Sequence, residues 1–524
     1  MKKLIALLLA LILLAGAASA AFTDEKQINT RYRDAVDAMS DLGVIGGFPD
    51  GSFKPKDTLT RAQAAKIICT VLKGGENMDA VTASKYFTDV PQSHWAVTYI
   101  GWCAAQGIVS GVGGGRFDPN GQLTGFAFGK MLLVAYGHNA EAEGLTGAGW
   151  DTHVADLLKK EGRDYQLKVT NEPLPRQEAC QMAYNFTLPA VDMSAYADTT
   201  LDLKADTALY KTYGRTYMGE DGAAILWPGN AVEFTAELGG DLVLNYRSAE
   251  NLYIRTFVDG EENARVRATA AGSARKVKVA SNIRPGEHTI RIVRDTDIST
   301  KGMETFWSTL TFTGVKSSVK PTEQKKLYIE FVGASVISGK GALRAGVYSV
   351  DDECHSASHA FAYLTAQALD ADWSLVARGG AGVSGTGSVS QPISEFYEYV
   401  NPFSDPETRT KYDFARKADI VVICGSNDTC SSEEFRKLMV DFVKQVRDRN
   451  GADTPVIIMY NHMTANRNDD LVAAAETAGA LASKHTRHND GGASTSTAAA
   501  HPGVEGHKII AEELIAFLRE NVLK

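Results

Sequence analysis

The sequence predicts a multidomain chain: an all-α N-terminal region built from repeats, a β-sandwich, and an α/β/α domain with a parallel sheet. Three observations predict it. Echoes spaced 64 positions apart between residues 41 and 124 mark an internal repeat. Alternating apolar and polar residues in short runs from about 212 to 315 mark half-buried strands. Beyond residue 326, continuous apolar runs alternate with helical patterns, as in parallel strands covered on both faces. The expected boundaries are 1–20 for a signal peptide, 21–190 for three repeat modules, 205–316 for the sandwich, 317–325 for a linker and 326–524 for the α/β domain.

The chain opens Met1-Lys2-Lys3, runs apolar from Leu4 to about Ala15, and continues Ala18-Ser19-Ala20. A basic start, a short apolar run and small residues at a cleavage site make a secretory signal. The run is short for a membrane span and no later stretch approaches one, so the mature protein is expected outside the cell, beginning near Ala21. A net charge of −9 with mixed signs does not suggest a nucleic-acid binder. No Cys/His set has metal-ligand spacing and no Gly-Lys-Ser/Thr phosphate loop occurs, so neither metal nor cofactor is expected. The six cysteines show no dense disulfide framework. A Cys424–Cys430 bridge and free buried thiols both fit.

In the first region Asp41-Leu42-Gly43-Val44-Ile45-Gly46-Gly47 is echoed by Ala105-Gln106-Gly107-Ile108-Val109-Ser110-Gly111. Phe53-Lys54-Pro55 returns as Phe117-Asp118-Pro119, and Leu59-Thr60 as Leu123-Thr124. A third, degenerate copy has Trp150 and Gly162 in place of Trp95 and Gly107, and closes with Leu174-Pro175-Arg176-Gln177-Glu178. Each copy reads as helix, Gly-rich loop, helix, with Thr60 a candidate N-cap. Arg61 and Arg176 open helices, where a guanidinium beside free backbone N–H groups makes an anion receptor. The second copy has Gly125 there.

These copies resemble the S-layer homology module, through Tyr86-Phe87-Thr88-Asp89-Val90-Pro91, His94-Trp95-Ala96, Gly47 to Pro55, and Leu59-Thr60-Arg61-Ala62-Gln63. The resemblance implies three modules packed as a trefoil that holds secondary cell-wall polysaccharide, pyruvylated in the family, with Arg61 and Arg176 as ligands. It also implies residence on the bacterial cell wall or S-layer.

The expected sandwich strands include Ala231 to Ala236, Asp241 to Tyr246, Leu252 to Val258 and His288 to Val293, separated by turns such as Asp259-Gly260. Gly214-Arg215-Thr216-Tyr217, Tyr253 to Gly260 and Gly286-Glu287-His288-Thr289 resemble the jelly-roll domain that precedes the catalytic domain in carbohydrate esterase family 2. Trp227, Tyr246 and Trp307 are candidates for sugar contact or for core.

The α/β domain carries four short blocks in order: Gly333-Ala334-Ser335, Gly379-Gly380-Ala381-Gly382, Gly425-Ser426-Asn427-Asp428 and His501-Pro502. Ser335, Gly380 and Asn427 all fall just past expected strands, where parallel sheets place their sites. Together the blocks supply a hydroxyl nucleophile, oxyanion donors and an imidazole base. His507 is expected on a helix surface, and Asp428 as an acceptor that braces a loop.

This layout is similar to the SGNH (GDSL-type) hydrolases, and most like carbohydrate esterase family 2, given the preceding jelly roll, Asn401-Pro402-Phe403 and Tyr412-Asp413-Phe414. The likeness implies a serine carboxylic-ester hydrolase removing O-acetyl groups from polysaccharide. Ser335 is then the nucleophile and His501 the base, with the oxyanion hole formed by backbone N–H of Ser335 and Gly380 and by Asn427. The chain departs from the family twice. Ala334 replaces the Asp of Gly-Asp-Ser, and Ala498 replaces the Asp three residues before the histidine. A Ser–His dyad with a backbone carbonyl on the imidazole accommodates the second change; Asp490 folding back is the alternative. A glycan-binding surface protein with weakened catalysis, and a deacetylase of the cell's own wall polymer, are the competing readings.

Overall fold

The computed structural model describes residues 22–73, 83–297, 305–343, 352–387, 389–425, 428–461, 467–485 and 501–523. It divides into two compact units, Met1–Tyr196 and Ala197–Lys524. The sandwich and the α/β domain, separate in the sequence reading, share the second.

The first unit is helical: α1 (Arg33–Asp41), α2 (Arg61–Lys73), α3 (Val97–Ala105), α4 (Gly125–Ala135), α5 (Trp150–Lys160) and α6 (Arg176–Thr187). The Gln63 amide N–H donates to Thr60 Oγ1 at 3.3 Å and the Gln63 side chain accepts from the Thr60 N–H at 3.1 Å, a capping box at the start of α2. Thr124 caps α4 through the Ala127 N–H. The repeats meet in a closed ring. Leu59 N–H donates to Leu174 O (2.8 Å), Leu174 N–H to Leu123 O (2.8 Å) and Leu123 N–H to Leu59 O (2.9 Å). The ring satisfies three backbone pairs that would otherwise be orphaned beside the core. Phe53, Phe117, Phe128 and Phe186 are fully buried there.

The second unit begins with an antiparallel, jelly-roll-like sheet. Its strands are β1 (Ala197–Asp202), β2 (Lys211–Tyr213), β3 (Tyr217–Gly219), β4 (Gly222–Ala224), β5 (Ala231–Ser248), β6 (Leu252–Val258), β7 (Glu261–Ala268), β8 (Ala271–Arg294), β9 (Thr305–Val315) and β10 (Lys320–Pro321). The long β5 pairs with both β8 and β9. Trp227, Tyr246 and Trp307 are all buried, so none presents a face to sugar.

Five parallel strands follow: β11 (Leu327–Gly333), β12 (Ala371–Ala377), β13 (Ile420–Cys424), β14 (Val456–Met459) and β15 (Leu481–Ser483). Their order is β12-β11-β13-β14-β15. Helices α7 (Phe361–Ala368), α8 (Ile393–Phe396), α9 (Ser432–Asn450), α10 (Asn468–Ala478) and α11 (Val504–Asn521) connect and flank them. α9 shows why such segments become helices. Ser431 caps it, Glu433 and Glu434 lie in its first turn, and Phe435, Met439, Phe442, Val443 and Val446 form its buried stripe. Order 2-1-3-4-5 has a switch point between β11 and β13, where crossovers leave toward opposite faces and a crevice opens beyond the strand ends.

The sandwich and the parallel sheet are sewn together by buried polar pairs. Arg215 holds Glu330, in the middle of β11, with two hydrogen bonds of 3.0 Å. Lys211 pairs with Asp372 at 2.5 Å. Trp373 Nε1 donates to Gly229 O at 2.9 Å, and its ring stacks on Tyr213 at 3.8 Å between centroids. Such charges are tolerated inside because each is paired and hydrogen-bonded.

Candidate active site

The register of the parallel sheet brings three sequence blocks level. Gly333 at the end of β11 pairs with Ala377 of β12 and with Cys424 of β13. Ser335, the Arg378–Ala381 turn and Gly425 therefore leave the sheet side by side at the switch point. Glycine is required where the backbones cross most closely: a methyl group at Gly333 would lie 2.0 Å from the Cys424 carbonyl oxygen, and φ there is +151°. Ala381 N–H donates to Arg378 O at 3.1 Å, closing a turn in which Gly380 takes φ +82°. That value at the third position belongs to a type II turn, which favours glycine.

Ser335 is buried, and the loop after it folds back on its carbonyl. Lys340 N–H and Ser338 Oγ both donate to Ser335 O, at 3.1 and 2.9 Å. His501 stands just before Pro502-Gly503 and α11. Its Nε2 lies 2.8 Å from Ser335 Oγ, across 166 residues of sequence. With Nε2 facing the hydroxyl as acceptor, the ring proton belongs on Nδ1. Among the described residues Nδ1 has no hydrogen-bond partner. Asn427, Ala498 and Asp490 lie outside the described residues.

The electrostatics favour a neutral ring. Burial, then Lys340 and His355, push the His501 imidazole down to about 4. His355 is buried with neither ring nitrogen hydrogen-bonded, and burial lowers it too. Asp297, just beyond β8 of the sandwich, is buried with Oδ1 unpartnered. A methyl group at Gly379 would lie 2.9 Å from Asp297 Oδ2 and 3.3 Å from Lys340 Nζ, so both side chains converge on the turn beside the serine. The sequence reading missed Asp297, Lys340 and His355, because none belongs to a block with recognisable spacing. Asp428 accepts from the Val383 and Ser384 N–H groups at 3.2 and 2.7 Å, and ties the second block to the third. His507 departs from expectation. It is fully buried, takes the Phe361 N–H on Nδ1 at 3.1 Å, and so docks α11 on α7. It lies in the buried stripe with Ile510, Ala511, Leu514 and Leu518, which overrides its polarity.

In the helical unit, Arg61 donates to Phe117 O and Ser110 O, both at 2.8 Å. Arg176 donates to Phe53 O (3.0 Å) and Gly46 O (3.2 Å). Each arginine thus reaches into the Gly-rich loop of another repeat. Arg176 also lines a cavity of about 290 Å³ with Gly46, Phe48, Lys66 and the exposed Trp95. The six cysteines carry free thiols, and the alternative Cys424–Cys430 bridge is not formed.

Comparison with known proteins matches residues 21–65 and 86–128 to the S-layer homology domain and residues 212–316 to the carbohydrate esterase 2 N-terminal domain. The chain thus carries S-layer homology modules and a carbohydrate esterase 2 N-terminal domain ahead of the parallel-sheet domain. Over 89 residues (17% of the chain) it is 38% identical to cell surface glycoprotein 1 of Acetivibrio thermocellus, covering 4% of that protein. It is 33% identical over 164 residues (31% of the chain) to the surface-layer 125 kDa protein of Lysinibacillus sphaericus, covering 13% of it. The chain therefore spans only a small part of these relatives. The modules and these likenesses mark an extracellular protein associated with the cell wall or S-layer. Among described residues no helix is long and apolar enough to cross a membrane. Two solved structures share the fold of the second unit. One is a family two carbohydrate esterase from Cellvibrio japonicus (TM-score 0.54, 20% identity, 62% of this chain and 98% of that one). The other is an acetyl xylan esterase from Butyrivibrio proteoclasticus (TM-score 0.52, 19% identity, 62% and 99%).

Proposed function

We propose that this protein is a cell-wall-anchored esterase that removes O-acetyl groups from polysaccharide through a Ser335–His501 acyl-enzyme mechanism. The observation that carries the reading is the 2.8 Å approach of His501 Nε2 to Ser335 Oγ at the switch point of the parallel sheet. Ser335 Oγ attacks the ester carbonyl carbon while His501 Nε2 takes its proton. The tetrahedral oxyanion is received by the backbone N–H groups of Ser335 and Gly380 and by the Asn427 amide, donors worth roughly 3–4 kcal/mol each on the barrier. Collapse expels the sugar hydroxyl, which takes the proton back from His501. Water, deprotonated by the same ring, then attacks the acetyl-serine and releases acetate. A neutral ring suits this work, since imidazolium cannot accept the serine proton.

The three modules, closed by the Leu59–Leu123–Leu174 ring as a trefoil, serve to hold secondary cell-wall polysaccharide, with Arg61 and Arg176 as its cationic contacts. The catalytic assay is acetate release from acetylated xylan, glucomannan and peptidoglycan by wild type and Ser335→Ala. Loss of at least about 10³-fold is expected in the variant. Full activity without the hydroxyl would reject the mechanism. Polysaccharide retention with no acetate release by the wild type would leave a glycan-binding protein, a reading that Ala334 favours.

A further inference from the structure

Arg378 follows β12 directly and opens the turn beside the nucleophile; its N–H donates to Gly333 O at 3.1 Å. The half-buried guanidinium lies 4.0 Å from the centroid of the Phe403 ring. Among the described residues, none gives it a hydrogen bond or an ion pair. Its neighbours in the same unit are treated differently: Arg215 is matched to Glu330, Arg255 and Arg265 to Asp295, Arg291 to Glu233, and Arg294 to Glu250. Lys340, whose ammonium faces Gly379, has no ion pair among the described residues either. Of the described acids that act on Arg378, Glu250 is committed to Arg294, and Asp297 is shared with Lys340 at the Gly379 turn.

The guanidinium opens onto a cavity of about 420 Å³ lined also by Ser390, Gln391, Glu395, Phe403 and Arg409. Glu395 is already bound to Arg409 and Gln391, both at 2.9 Å. The volume lies in the range of small-ligand sites. A cation drawn partly out of water with no partner is costly unless a ligand supplies the missing charge. Stacking on Phe403 holds the planar fork in place before the ligand arrives.

We propose that Arg378 receives a carboxylate of the glycan, so that the substrate is an acidic polysaccharide carrying a uronate-type residue close to the acetyl ester. This rests on Ser335 being the nucleophile. A neutral glycan would leave the guanidinium without a hydrogen-bonded partner in this cavity, whereas a carboxylate meets it through two parallel hydrogen bonds.

The test compares kcat/KM for acetate release from acetylated glucuronoxylan with that from the same polymer after its carboxylates are capped as neutral methylamides by carbodiimide coupling. The wild type should prefer the acidic polymer by about tenfold, the value of one charge-assisted hydrogen bond. The ratio should fall to about one in Arg378→Met and be partly kept in Arg378→Lys. A wild-type ratio near one, or an unchanged ratio in Arg378→Met, overturns the inference. Should Arg378→Met fail to fold, the wild type decides alone: a ratio that does not shrink between about 20 mM and 1 M salt overturns it. Wild type that hydrolyses 4-nitrophenyl acetate but ignores the carboxylate defeats this inference only. Wild type inert toward that ester defeats the esterase reading and this inference with it.

Discussion

The His501 environment makes a quantitative demand on the pH–rate profile. A carboxylate partner would raise the ring's affinity for a proton; the charges that act on it here, Lys340 and His355, both lower it, in addition to burial. Movement from 6.5 to about 4 corresponds to a preference of about 3 kcal/mol for the neutral ring. In the proposed mechanism the neutral ring is the base, so kcat/KM for 4-nitrophenyl acetate should reach half its plateau near pH 4 and stay flat to neutrality. An ordinary imidazole would be only half active at pH 6.5. Such a ring is also a weaker base, which limits the plateau while widening the working range. Lys340→Met removes one cation and leaves burial and His355 in place, so the acid limb should move up while staying below 6.5. The profile is measured at a wavelength where nitrophenol and its anion absorb equally. A wild-type half-point at about 6.5, or a limb that moves down in Lys340→Met, would refute the electrostatic account.

Burial depresses His355, His359 and His501 alike, so between about pH 6.5 and 4 the unfolded chain binds protons that the folded one does not. Urea denaturation of the second unit should therefore show stability falling through that window, with a shallower slope in His359→Gln. Arg215→Met strands the Glu330 carboxylate and should cost about 3–5 kcal/mol by denaturant midpoint, part of it recovered in the Arg215→Met/Glu330→Gln double variant. Gly333→Ala drives a methyl group into the Cys424 carbonyl, so Ser335 activity should collapse even in protein that remains soluble. Cys69 Sγ and Cys103 Sγ lie 3.5 Å apart, 34 residues apart in sequence. Oxidation by diamide, which takes up their two electrons and two protons, should remove two titratable thiols and stabilise the first unit by about 4 kcal/mol.

The parts of the site that were legible in the sequence are those fixed by backbone chemistry. A glycine at the end of an apolar run marks a strand that must pass another closely, and the blocks at 333 and 379 had that form. The repeats were legible because Leu59, Leu123 and Leu174 keep their place in each copy, and the backbone ring joins those three positions. What could not be read was partnership across long separations. Nothing near Asp297 announces that the end of β8 arrives beside Gly379, and nothing near Arg215 announces Glu330. His507 was misread because a polar residue in a buried stripe was weighed by its type; its spacing from Ile510, Ala511 and Leu514 gave the better signal. Trp227 and Trp307 illustrate the converse: aromatic residues that could have met sugar are fully buried and belong to the core.

These separations explain why the sandwich and the parallel sheet fold as one body. The strand that leads to Ser335 carries a buried acid at its centre, and the neutralising guanidinium comes from the sandwich. The sandwich also sends Asp297 to the turn that follows β12, and Asp295 to a knot with Arg255, Arg265, Ser356 and Ser358 just after His355. Removing the sandwich would take the Arg215 guanidinium from Glu330 and would release the segment that bears His355, which with burial and Lys340 keeps His501 neutral. The preceding domain is therefore a structural part of the rim that carries Ser335, and its boundary in sequence is no boundary in energy.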